Sequence, residues 1–229
     1  GHWGKMGLHL RGNILGYEEA GGPKKLIVTG ARDVFEAHEL FDEVHYHEDE
    51  LLPFYDHYLK GYDSGYDKRA PVRIFVRGEG QLRDEKEWPL KRARQVSYYL
   101  RKGPSGSVTS INDGGLSTDK PGQDEGSTSY AYPDPEWTNG VAVAGPDGPD
   151  PVRRVLTFTT DELADDVEVT GPIVLELHAS SDQIDTDFIV KVADQEPQSA
   201  AERKKGAQPK FTNVSKGWLK ASHHTTKNA

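Results

Sequence analysis

Cysteine is absent from all 229 residues, and methionine occurs once. The first absence removes disulfides, thiolate metal sites and thiol nucleophiles together, while saying nothing about compartment. No apolar run approaches the ~20 residues that a helix needs to cross a bilayer. No basic, apolar, small-residue leader opens the chain either. The expectation is a soluble protein with no membrane partner, a cytoplasmic location being favoured. Positive charge is also in short supply: 28 Lys and Arg stand against 37 Asp and Glu, for a net charge of −9. A nucleic-acid partner is therefore not expected, because binding phosphates needs a basic face. No cofactor is expected. Hydrophobic residues make up 34% of the chain, a polar balance, but ten Tyr, seven Phe and four Trp are enough aromatics to argue for packed cores over disorder.

Hydrophobic periodicity divides what is there. Residues 8–20, "LHLRGNILGYEEA", put Leu8, Ile14, Leu15 and Tyr17 on one side at helical spacing, and Gly21-Gly22-Pro23 ends the helix. Residues 24–29 form a short buried strand around Leu26-Ile27-Val28. Residues 48–61, "EDELLPFYDHYLKG", give the clearest helix. Its acids crowd the start, where the dipole favours them, and Pro53 falls in the first turns, where its missing N–H costs little. After residue 70 the period becomes two. "PVRIFVRG" (71–78), "ARQVSYYLR" (93–101), "RRVLTFTT" (153–160), "GPIVLELHASS" (171–181), "TDFIVKVAD" (186–194) and "GWLKAS" (217–222) read as strands of a β-sandwich. Residues 103–150, rich in Gly, Pro, Ser and Asp, read as a long surface connection.

The division predicted is thus 1–70, of α/β style, and 71–229, a β-sandwich. A 70-residue α/β piece with one visible strand cannot complete a sheet of its own. The opening "GHWG" without Met and the closing "LKASHHTTKNA" likewise read as a fragment or cleaved product, incomplete at both ends.

Five segments in order carry a family resemblance: "GHWGKMGLHLRGN", "LLPFYDHYLKG", "PVRIFVRGEGQLRDEKEWPL", "LTFTTDELADDVEVTGPIVLELHASSDQIDTDFIVKVAD" and "SKGWLKASH". Together they resemble the CocE/NonD hydrolases, the cocaine-esterase and X-prolyl-dipeptidyl-peptidase-like family. The resemblance implies the end of an α/β-hydrolase domain at 1–70 and a C-terminal jelly roll at 71–229. It also implies a Ser–His–Asp triad and hydrolysis of a small-molecule ester or amide. No serine here sits in the required G-x-S-x-G elbow; "KGPSGS" at 102–107 lacks the spacing. A missing hydrolase segment is therefore an implied partner. Counted from the family pattern, the triad acid falls on Gly4 and the base on Asp33, and neither type can do the work. His38, five residues on, is the candidate stand-in, so Asp33 and His38 are the candidate catalytic residues. The competing class is a non-catalytic jelly-roll interaction or carbohydrate-binding protein.

Other constellations have plainer readings. His45-Tyr46-His47 before three acids reads as a polar loop at a helix start, since no third metal ligand is spaced to join it. Asp182, Asp185, Asp187 and Asp194 read as turn formers beside a hairpin, not a cation site. Trp88, Trp137 and Trp218 suggest a sugar platform less readily than core positions, and "AERKKG" (201–206) reads as a solvated loop.

Overall fold

A computed structural model describes residues 9–31, 34–103, 114–129, 156–197, 199–205 and 210–223. The chain forms two compact units. Residues 1–93, 170–192 and 213–229 make the first, and residues 94–169 and 193–212 the second.

The first unit begins with helix α1 (Leu10–Glu19) and strand β1 (Leu26–Val28). A helical stretch follows: α2 (Val34–Asp42), α3 (Val44–Tyr46), a π-helical turn (His47–Leu51) and α4 (Leu52–Tyr58). The chain then returns as β2 (Val72–Val76), parallel to β1 with Leu26 opposite Val72 and Val28 opposite Ile74. A parallel pair joined through helices is a βαβ crossover, the connection that parallel strands require. Strand β3 (Gln81–Glu85) pairs antiparallel on the far side of β2, giving the order β1-β2-β3. The sheet is therefore continuous across residue 70, where the sequence reading divides the chain.

Alternation explains which side chains are buried. Val72 and Ile74 are buried with Leu26, Val28 and Leu10 of α1, and Ile14, Tyr17, Val76 and Trp88 pack against them. Each such aliphatic side chain contributes about 1.5–3 kcal/mol by leaving water. Glu85, also buried, is held at the end of β3 by Arg92 (Nη1 to Oε2, 2.6 Å) and Arg83 (Nε to Oε1, 2.8 Å). These guanidiniums, Arg92 first, hold its carboxyl below the usual range.

The predicted helix at 48–61 starts earlier than its acids suggest, at Val44, and Pro53 lies inside a continuous helical path. Proline cannot donate to the carbonyl four residues back and its ring crowds that carbonyl. Here the turn before it widens to the π form, a rare geometry that occurs mostly as single turns within α-helices. The freed carbonyl is that of Asp49, and the Arg69 guanidinium donates to it. His45-Tyr46-His47 consequently lies on helix, not in the predicted loop, and the His45 side chain is exposed.

Within the second unit, β4 (Tyr99–Lys102) pairs antiparallel with β5 (Gly114–Ser117), which pairs parallel with β6 (Phe158–Thr159). Gly114 is required there: an added Cβ would lie 2.1 Å from the Arg101 carbonyl oxygen and 2.6 Å from the Phe158 ring. The Arg101 guanidinium bonds Glu125 at 2.8 and 2.9 Å, fixing the segment after β5.

A separate two-stranded sheet joins β7 (Asp187–Gln195) and β8 (Phe211–Lys220), covering the predicted strand at 186–194. "AERKKG" departs from expectation, because residues 200–204 form a short helix, α5. Ser199 and Glu202 cap it reciprocally: the Glu202 N–H donates to Ser199 Oγ (3.2 Å) and the Ser199 N–H to Glu202 Oε2 (2.9 Å). Residues 171–181 form no strand despite their pattern. Val174 is 76% exposed, and no ladder partner faces the segment among the described residues. Two further expectations shorten for the same reason: of 93–101 only Tyr99 onward is strand, and of 153–160 only Phe158 and Thr159, with 153–155 outside the described residues.

Candidate functional site

The loop leaving β1 is the predicted place of a catalytic base. Thr29 is buried, and its hydroxyl has no hydrogen-bond partner among the described residues. Gly30 follows with the Phe75 ring of β2 laid against it, where a Cβ would meet ring carbons at 2.7 Å. Glycine is needed for that approach. Helix α2 then turns Ala37 inward and leaves His38 and Glu39 exposed. Asp33 lies outside the described residues. A working base needs a second group in hydrogen-bond reach to orient its ring. The His38 side chain has no hydrogen bond or ion pair among the described residues.

A denser group of charges lies under the π turn. Glu50, only 14% exposed, accepts from Arg73 (Nη1 to Oε1, 2.9 Å) and from the Tyr66 hydroxyl (3.0 Å), with Arg69 at 3.8 Å. Lys25 donates to the Arg69 carbonyl (2.6 Å) and the Ala70 carbonyl (2.9 Å), with its ammonium 4.8 Å from the centre of the Tyr66 ring. Arg73 also grips Asp84 of β3 at 2.6 and 3.2 Å. Burial, with help from Glu50, pushes the Tyr66 hydroxyl far up, and burial pushes Lys25 down. The Arg73 hydrogen bonds pull Asp84 below the ordinary carboxylate range. Lys25, Glu50, Tyr66, Arg69 and Arg73 line one small indentation. Their donors and acceptors go to one another, to Asp84 and to nearby backbone carbonyls, so the group ties the helical stretch to the sheet and offers a substrate little. Spacing along the sequence gave no sign of it, since Glu50 meets Tyr66 and Arg73 across 16 and 23 residues.

Farther along, His57, Asp63 and Asp67 bring one ligand atom each to within 4.8 Å of one another, with His57 Nε2 3.9 Å from Asp67 Oδ1. Asp185, from the acids beside the hairpin, is fully engaged: its Oδ1 accepts from the Thr186 and Ser222 N–H groups (2.9 and 3.0 Å), and Oδ2 lies 3.1 Å from Lys220. These bonds, Ser222 first and then Lys220, hold its carboxyl at about 2. A turn former, as expected, results. Of the tryptophans, Trp88 packs on the core, Trp218 is exposed and Trp137 lies outside the described residues.

A family model described as the X-Pro dipeptidyl-peptidase C-terminal non-catalytic domain matches residues 64–229. The chain belongs to the CocE/NonD, X-Pro dipeptidyl-peptidase-like family. It is 36% identical over 159 residues to the cocaine esterase of Rhodococcus sp. (strain MB1 Bresler), covering 65% of this chain and 27% of that protein. Proteins of Mycobacterium bovis and Mycobacterium tuberculosis, provisionally named serine esterases, are each 29% identical over 188 residues, covering 77% of this chain and 27% of theirs. The family member described here thus spans about a quarter of the length of these relatives. Among the described residues no helix is long and apolar enough to cross a membrane.

Proposed function

We propose that this chain is the non-catalytic C-terminal stretch of a serine hydrolase that cleaves a small-molecule ester or amide. The match of residues 64–229 to a non-catalytic domain of this family carries the reading, and the esterase names of the relatives give it its chemistry. In this reading residues 1–70 are the end of the α/β-hydrolase part and residues 71–229 the non-catalytic part, whose first strands, β2 and β3, extend the sheet that β1 begins. The later strands belong to a jelly roll that packs on the catalytic part and helps shape the acyl pocket. The nucleophilic serine comes from the rest of the hydrolase. A triad needs serine, base and acid in one hydrogen-bonded row. The loop after β1 occupies the place of the base and has lost it, a reading supported by the exposure of His38, whose side chain has no hydrogen bond or ion pair among the described residues.

The purified chain is expected to hydrolyse p-nitrophenyl acetate no faster than buffer and to take no label from a fluorophosphonate. Turnover that disappears in His38→Ala would overturn the reading.

A further inference from the structure

We draw no further inference here: the strongest candidate, the His57–Asp63–Asp67 cluster where the loop after α4 folds back on that helix, pairs two exposed carboxylates with one imidazole, and no second observation in the structure points to a ligand there.

Discussion

The β1-β2-β3 sheet and the irregular stretch at 171–184 have similar sequence patterns and opposite fates. Both are rich in Val, Ile and Leu at strand-like spacing. In the sheet, Val72 is 0% exposed and Ile74 5%, whereas Val174 is 76% exposed and Ile184 fully so. The difference lies in partners. β2 has a ladder on each side and a helix over its face, while 171–184 has none among the described residues. An alternating pattern states which face would be buried; a second strand decides whether it is.

The largest effect that would test this contrast is a cavity. Ile74→Ala is expected to cost about 2–5 kcal/mol, and Val174→Ala to stay within ~0.5 kcal/mol, both read by urea unfolding. Equal losses would show that the two stretches are buried alike. Next comes crowding: Gly30→Ala places a methyl against the Phe75 ring and should cost about 1–3 kcal/mol. Phe75→Leu in the same chain should recover part of that loss, and no recovery would mean the ring is not the obstacle.

Charge removal in the sheet's collar is smaller. Glu50→Gln takes the carboxylate from Arg69 and leaves Arg73 with Asp84 alone, and because both guanidiniums are partly solvated the expected loss is about 1–2 kcal/mol. High salt should shrink the difference between the two proteins. In the second unit, Ser199→Ala removes the hydroxyl half of the α5 cap, leaving the backbone N–H bond to Glu202, and should cost ~1 kcal/mol.

The mildest test is by pH. Asp185 sits at about 2 when folded, below the ordinary 3.8, so folding favours its ionised form. Its contribution is complete above the unfolded value and is lost as the pH falls through the folded one. Acid unfolding of Asp185→Asn should therefore lack part of the wild-type pH dependence between pH 4 and about 2. Superimposable acid limbs would remove Asp185 from the account.

Much of the first unit was legible because its signals are local. Leu26-Ile27-Val28 and the alternation of 72–76 gave the strands, and Gly-Gly-Pro ended α1. The capping of α5 was equally local: Ser199 and Glu202 have the spacing of a capping box, and the basic run after them drew the reading toward a loop. Pro53 lies in the first turn of α4, as read, but the helical path continues upstream of it. Proline usually marks a first turn, and the sequence does not say that a guanidinium 16 residues later will take over the carbonyl that proline leaves open. The Glu50 group was hidden likewise, since its members meet through the return of β2. As for the candidate site, its place was read from resemblance, and its chemistry was read as degraded from Asp33 and His38. The structure adds that His38 stands on the outer face of α2.

The Arg69 bond to the Asp49 carbonyl has a consequence for how this chain tolerates change in length. The segment between α4 and β2 has the composition of a permissive surface loop, with two glycines, serine and aspartates. Yet Arg69 must arrive opposite the Asp49 carbonyl, and one inserted residue displaces it by up to ~3.5 Å, beyond the reach of a hydrogen bond. A proline in one element has thereby set the number of residues in another, so insertions and deletions between Leu59 and Arg69 should be tolerated far less well than substitutions there.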